Sequence, residues 1–147
     1  MIAELRDFLV REGAPFTVTA GPPAPIAGGS LARVVILRDG DAYVLAVLPA
    51  AATLDLAGFR RRVGRYGLTI AKEEQFRAEL PELGDGPVPP FGRMVAIPVY
   101  LDRTLAGEAV MRFEGDADRE TVSLPMRDYV RVERPAIAPL TQALRAA

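Results

Sequence analysis

The amino-acid sequence predicts an α+β fold, in which a mixed, mostly antiparallel sheet is flanked by helices. Short apolar runs rich in β-branched residues recur along the chain, as strands require. Segments with apolar residues at helical spacing lie between them. Neighbouring strand candidates are joined by short turns, which favours hairpins over the crossovers of a parallel sheet. We expect one domain over residues 1–147, a length that suffices for a proper core.

The N-terminal part of the chain is expected to form a helix, a short strand and a hairpin. Apolar residues at helical spacing predict the first helix, which ends before Gly13. A short strand is expected at Phe16–Thr19. The dipeptide Asp39-Gly40 then joins two apolar runs, Leu31–Arg38 and Tyr43–Leu48. Such a dipeptide between apolar runs is a strong hairpin signal.

The remaining elements alternate between helices and strands. Asp55 can cap a helix that continues to about Arg65, and a second helix is expected at Lys72–Leu80, ended by Pro81. Strands are expected at Leu68–Ala71, Val95–Leu101, Ala109–Glu114 and Thr121–Leu124. The segment Met126–Val132 is ambiguous between helix and strand, and a terminal helix is expected from Pro139.

Composition excludes several kinds of chemistry. Half of the residues are hydrophobic and a quarter are charged, as in globular proteins. The chain has no cysteine and no histidine, so it has no disulfide, no thiolate nucleophile and no histidine base. We therefore expect no metal and no cofactor. A net charge of −1 argues against a broad basic face for DNA. No apolar run is long enough to span a membrane. We therefore expect a cytoplasmic protein without a membrane partner.

The most informative segment is Gly86-Pro87-Val88-Pro89-Pro90-Phe91-Gly92, called the proline loop below. Proline fixes φ and lacks an amide donor, so this segment cannot form a helix interior or a central strand. Its only main-chain donors are the amides of Gly86, Val88, Phe91 and Gly92. A stiff loop with free amides could hold an oxyanion without a charged side chain. The alternative is a tight connection between a helix and a strand, and composition alone favours it.

The order of the segments resembles the YbaK/prolyl-tRNA synthetase-associated family of aminoacyl-tRNA editing domains. The ordered set comprises Leu31–Gly40, Val44–Ala50, Glu73–Phe76, the proline loop and Ile97–Asp102. The resemblance runs from about Leu31 to Pro135, and its best element is the Gly-x-x-x-Pro pattern from Gly86 to Pro90. It implies the fold of that family. It also implies a role in translation fidelity. Members of the family hydrolyse the ester of mischarged aminoacyl-tRNA, either as free-standing proteins or as domains inserted in a synthetase.

The resemblance also implies which residues form the site. The amides of Gly86 and Val88 would hold the ester carbonyl, and Arg33 stands where the family usually has a lysine that contacts the substrate. These three are the candidate catalytic residues. Candidate substrate-binding residues are Pro89, Pro90, Phe91, Gly92, Asp102 and Asp118.

Each of the charged candidates also has a purely structural interpretation. Arg33 could be a strand-edge arginine that reaches solvent. Asp102 follows an apolar strand and could instead cap a helical turn, which is the more common role. Asp118 lies near the place of a histidine in many family members, but in the acidic stretch Glu114–Thr121 it fits turn chemistry better.

Two departures from the family pattern leave two functions open. The family's histidines are absent, and residues 20–30 are too short for the helix that family members place over the aminoacyl group. The first hypothesis is a free-standing deacylase for a small amino acid, with the 3′ end of aminoacyl-tRNA as its partner. The second is a degenerate relative that binds tRNA or a protein without catalysis. A homo-oligomer, in which another chain covers the short segment, is left open.

Overall fold

The computed structural model describes residues 1–21, 30–115 and 120–142. Within them lie eight strands, which are β1 (Thr17–Thr19), β2 (Leu31–Asp39), β3 (Ala42–Pro49), β4 (Thr69–Ile70), β5 (Val99–Asp102), β6 (Val110–Glu114), β7 (Thr121–Pro125) and β8 (Ala136–Ala138). The helices are α1 (Ala3–Arg11), α2 (Leu56–Val63), α3 (Glu73–Glu79), α4 (Arg103–Ala106) and α5 (Met126–Glu133). Two 3-10 helices flank the proline loop, at Pro81–Leu83 and Arg93–Val95.

One mixed sheet contains all eight of these strands, in the order β1-β7-β6-β2-β3-β5-β8, and β4 pairs with β2 off this path. The pairings β1–β7, β7–β6, β2–β3 and β2–β4 are antiparallel. The pairings β6–β2, β3–β5 and β5–β8 are parallel. The antiparallel pairings are in the majority, and the predicted α+β class with a mixed, mostly antiparallel sheet is confirmed.

Local sequence signals account for the central hairpin and for α2. Gly40 takes a φ of 62° between β2 and β3, a left-handed conformation that glycine adopts without the Cβ clash of other residues. The Oδ1 atom of Asp55 accepts a hydrogen bond of 3.1 Å from the amide of Gly58, so Asp55 caps α2 as predicted. The helix ends at Val63, because Gly64 takes a φ of 67°.

The structure corrects the prediction in three places. The strand expected from Val95 is only β5, since the Arg93–Val95 helix and the left-handed Ala96 precede it. The ambiguous segment from Met126 is α5. The terminal helix expected from Pro139 is wrong over residues 139–142, where Thr141 instead forms an antiparallel bridge with Leu54, and β8 precedes it.

The sheet is covered on both faces by apolar clusters. Successive residues of a strand point to opposite faces, so β3 contributes Leu45 and Val47 to a larger cluster and Val44 and Ala46 to a smaller one. The larger cluster includes side chains from α1, α5 and the proline loop. The smaller one includes Phe59 of α2. Burial of all of residues 43–48 explains why β3 is a continuous apolar run.

No helix in the described ranges is both long enough and apolar enough to cross a bilayer. The extent of the domain over residues 1–147 stays a prediction, as do its cytoplasmic location and a homo-oligomeric state.

Candidate functional site

The candidate site lies where the sheet is interrupted. One edge of β2 pairs with β3 along nearly its whole length. Its other edge pairs with β6 only at Leu31 and Ala32, and with β4 only at Leu37 and Arg38. Between these two pairings, the edge at residues 33–36 has no strand partner among the described residues. The sheet therefore has a gap beside the middle of β2.

The gap exposes main-chain groups. The carbonyl of Ile36 points away from β3, because it accepts a hydrogen bond of 2.9 Å from the amide of Ala71. Main-chain groups two residues apart on a strand face the same edge, so the amide and carbonyl of Val34 face the gap. The edge thus offers a donor and an acceptor that belong to no ladder within the described residues.

A cavity of about 600 Å³ occupies this gap. Residues 31–36 of β2 form one side, and α3, the proline loop and the end of β6 form the others. Its lining is mostly apolar, with four charged residues: Arg33, Glu73, Arg77 and Glu114. This size and mixture are typical of sites for small ligands. The described residues contain no group of three or more acidic side chains arranged to hold a metal ion.

In the first half of the proline loop, Gly86–Val88, two residues face this cavity. Pro87 and Val88 line it. The amide of Phe91 donates to the carbonyl of Pro89 at 2.8 Å, and the amide of Gly92 donates to Glu133 at 2.7 Å. The amides of Gly86 and Val88 make no hydrogen bond within the part of the chain that the structure describes. Two of the four predicted donors are thus available, and Val88 is at the cavity wall.

The second half of the loop, Pro89–Gly92, is packed in the core. Pro89, Pro90, Phe91 and Gly92 are all buried. The ring of Phe91 makes edge contacts with the rings of Phe8, Phe113 and Tyr129. These four residues do not line the large cavity, because this part of the loop packs inward. The structure shows their packing role, and their contact with substrate stays a prediction.

Two residues of α5 fasten this half, and sequence reasoning missed both. The hydroxyl of Tyr129 donates to the carbonyl of Pro90 at 2.6 Å. The Oε1 atom of Glu133 accepts hydrogen bonds of 2.7 Å from the amides of Gly92 and Arg93. The only sequence signal is an acidic residue among the apolar positions of Met126–Glu133, a segment whose sequence is ambiguous between helix and strand. The loop is therefore held by main-chain bonds to side chains of one helix.

The carboxyl of Glu133 is buried and incompletely bonded. Its Oε2 atom has no hydrogen-bond partner among the described residues. Burial raises the pKa of Glu133 from 4.5 to about 7, although the two amides and the charge of Arg93 act in the opposite direction. Burial also raises the pKa of Tyr129, with a further contribution from Glu133, so Tyr129 stays a hydrogen-bond donor.

Arg33 lines the same cavity as Val88. Its side chain is exposed, and its Nη2 atom donates to the carbonyl of Ala52 at 2.8 Å. This contact orients the guanidinium and uses one of its five N–H donors. The structure thus brings Arg33 and the first half of the proline loop to one cavity, and the catalytic role of these residues stays a prediction.

Asp102, one of the two aspartates predicted to bind substrate, does not line the cavity. Asp102 is buried at the start of α4, where its Oδ2 atom accepts from the amide of Thr104 at 3.1 Å. Its Oδ1 atom accepts from the amide of Leu140 at 2.8 Å. Both carboxylate oxygens therefore serve the fold, in agreement with the cap interpretation. Asp118 lies outside the described residues.

Comparisons with known proteins agree with this architecture. The family model of the aminoacyl-tRNA editing domain matches residues 19–132. No curated protein sequence matches the chain. A candidate trans-editing enzyme for prolyl-tRNA synthetase has a similar structure, with a TM-score of 0.75 at 20% identity over 95% of this chain and 96% of its own. So has the hypothetical protein APE2540, with a TM-score of 0.76 at 14% identity over 95% of this chain and 99% of its own.

A larger protein contains the same fold as a part. A candidate signal transduction protein from Marinobacter aquaeolei VT8 matches with a TM-score of 0.81 at 19% identity. The match covers 97% of this chain and 31% of that protein, so the chain spans about a third of its length. At these identities the structural matches establish a shared fold.

Proposed function

Because the chain belongs to the aminoacyl-tRNA editing domain family, we propose that it hydrolyses the ester of mischarged aminoacyl-tRNA. The substrate is a tRNA whose 3′ end carries a small amino acid, and the reaction is that of a carboxylic ester hydrolase. The chain acts in trans on aminoacyl-tRNA released by a synthetase. This last part is supported by the trans-editing description of one structural neighbour, which shares nearly its whole length with this chain.

One observation carries the proposal: Val88, whose amide has no partner in the described chain, and Arg33 line one cavity. An ester carbonyl gains negative charge as it is attacked, and a fixed main-chain amide stabilises that charge. Arg33 supplies a positive charge for the phosphate of the terminal nucleotide. One cavity therefore offers an amide for the ester carbonyl and a positive charge for the terminal phosphate.

The chemistry requires little from side chains. Water attacks the ester carbonyl carbon, the bond to the ribose oxygen breaks, and that oxygen takes up a proton. The amino acid and the free tRNA leave. The ribose hydroxyl next to the ester, or a positioned water, accepts the proton of the attacking water, since the chain has no histidine. The amides of Gly86 and Val88 stabilise the oxyanion, and the rigid loop keeps them in place before substrate arrives.

A second candidate function is binding without catalysis. The observation that favours it is the hydrogen bond from Arg33 to the carbonyl of Ala52, which directs part of the guanidinium toward the protein. An arginine in this arrangement serves recognition of a phosphate as well as it serves catalysis. The two candidates differ in one measurable property, which is the turnover of ester.

The deciding experiment is a deacylation assay with a panel of tRNAs mischarged with small and large amino acids. We expect hydrolysis of esters of small amino acids, and slow or no hydrolysis of esters of large ones. Binding of tRNA without hydrolysis of any ester would favour the second function. An absence of both would contradict the two candidates together.

Arg33→Ala is the matching substitution. We expect hydrolysis to fall at least tenfold, equivalent to about 1.4 kcal/mol of transition-state stabilisation. Arg127→Ala is the control, because Arg127 is 89% exposed on α5 and lies outside this cavity. Full activity of a folded Arg33→Ala protein would leave Arg33 as a surface charge.

A further inference from the structure

The charges of the cavity do not all neutralise one another. Arg77 lies 3.5 Å from Glu73, one helical turn away, and also donates to the carbonyl of Gly84 at 2.8 Å. Arg33 contacts only the neutral carbonyl of Ala52. Glu114 makes no ion pair or hydrogen bond through its carboxylate within the described chain. One cationic and one anionic side chain of the cavity are therefore left without a charged partner there.

These two residues lie at the fork where β2 and β6 separate. The parallel ladder pairs Leu31 with Arg112 and Ala32 with Phe113, and it ends there. Arg33 and Glu114 are the next residues on the two strands, so they stand side by side at the mouth of the gap. The guanidinium turns to Ala52 and forms no ion pair with its neighbour. Such a fork suits a ligand that carries charges of both signs.

Glu114 also borders the proline loop. It lines the large cavity with Val88, and a small cleft with Pro87 and Pro89. In an aminoacyl ester, the α-ammonium nitrogen is only two bonds from the carbonyl carbon. A carbonyl that meets the amide of Val88 therefore places the ammonium group within the same cavity, which Glu114 also lines.

We propose that Glu114 binds the α-ammonium group of the aminoacyl ester and makes the site selective for substrates whose amino group is free. This inference rests on the proposed function and assigns a specificity-determining residue to it. Arg33 and Glu114 together then match the two charges of the substrate end, phosphate and ammonium. A peptidyl or N-acylated ester lacks the ammonium charge and loses the charge-assisted hydrogen bond to Glu114, so it binds more weakly.

A binding measurement tests this without any need for turnover. The probe is the amide-linked, non-hydrolysable analogue of alanyl-adenosine 5′-phosphate, compared with its N-acetylated form by calorimetry. We expect the protein to bind the free amine at least tenfold more tightly than the N-acetylated form. In Glu114→Gln this ratio should approach one, through weaker binding of the free amine alone. Glu114→Lys should bind the free amine more weakly still.

Glu74→Gln is the matched control. It removes the same charge from α3, next to Glu73, at an exposed position that does not line the cavity. It should keep the tenfold ratio, which excludes a general effect of net charge. A ratio near one in the unmodified protein, an unchanged ratio in Glu114→Gln, or no binding of either probe would overturn the assignment.

The test separates this inference from the proposed function. A tenfold preference for the free amine, without cleavage of any aminoacyl ester, would support the ammonium site and contradict the proposed hydrolysis. Cleavage of esters with equal binding of both probes would support the proposed hydrolysis and contradict the role of Glu114.

Discussion

The two halves of the proline loop each consist of proline, glycine and one larger apolar residue, and they differ in how they are held. In the first half, Pro87 and Val88 line the cavity, and the amides of Gly86 and Val88 have no partner in the described chain. In the second half, Phe91 is fully buried and the amide of Gly92 donates to Glu133. One half lines a cavity and contains two amides without a partner in the described chain, and the other is built into the core.

The difference shows how a loop without charged side chains is held in a rigid position. Proline fixes the φ angles, but it does not fix the position of the loop relative to the sheet. That position comes from the ring of Phe91 and from Tyr129 and Glu133 of α5. Anchoring half of the loop keeps the free amides of the other half in place, so the proposed reaction would require little reorganisation of them.

Phe91→Ala should have the largest effect on the anchored half. Phe91 is fully buried and contacts three other rings, so its removal leaves a large cavity in the core. We expect a loss of about 3–5 kcal/mol in the free energy of unfolding. Val88→Ala is the matched change in the presenting half, where the side chain is half-buried, and it should cost about 1 kcal/mol. Denaturant unfolding measures both.

The comparison would fail if the two variants lost equal stability. In that case the loop would be held uniformly along its length.

Gly92→Ala should have the next largest effect. A Cβ atom at this position would overlap the carbonyl oxygen of Ile97 and lie 2.8 Å from Cγ2 of Val99, so the anchored half would have to move. We expect a loss of about 1–3 kcal/mol in the free energy of unfolding. Gly107→Ala is the control, because a Cβ atom there would lie 3.6 Å from its nearest neighbour, the carbonyl oxygen of Thr104. An equal loss in both variants would show that close packing at Gly92 does not matter.

The sequence predicted the elements whose signals are local. The hairpin at Asp39-Gly40 and the cap at Asp55 depend on residues within a few positions, and the structure confirms both. The short strand β8 depends on a distant partner. Its residues pair in parallel with β5, and two of its three side chains are exposed, so no alternation of burial marks it. The local sequence from Pro139 therefore indicates the start of a helix instead.

The candidate site was likewise predictable from the sequence only where its signals are local. The scarcity of donors in the proline loop was visible in the sequence, and so was Arg33 at the start of an apolar strand. The fastening of the loop by Glu133 was not, because the two amides that it binds lie about forty residues earlier in the chain. Glutamate is rarely buried, and nothing local distinguishes a buried one from an exposed one at the end of a helix.

The last effect expected is a pH dependence that originates at the anchored half. The pKa of Glu133 is about 7 in the fold and 4.5 ordinarily, so the folded protein holds this proton more tightly than the unfolded chain does. The stabilisation is fully present below about pH 4.5, and it is lost as pH rises toward about 7. The loss is at most about 1.4 kcal/mol for each pH unit in that window.

Glu133→Gln resembles the protonated side chain and cannot titrate, so it should remove this slope. Its stability relative to the unmodified protein should therefore improve as pH rises from about 5 to about 7, measured by denaturant unfolding at each pH. Arg93 and Tyr129 are the other ionisable groups that act on Glu133, and both are retained in this variant. Glu82→Gln, which removes an exposed carboxylate near the loop, should keep the original slope. If Glu133→Gln kept it as well, the charge of Glu133 would have no part in the stability of the anchored half.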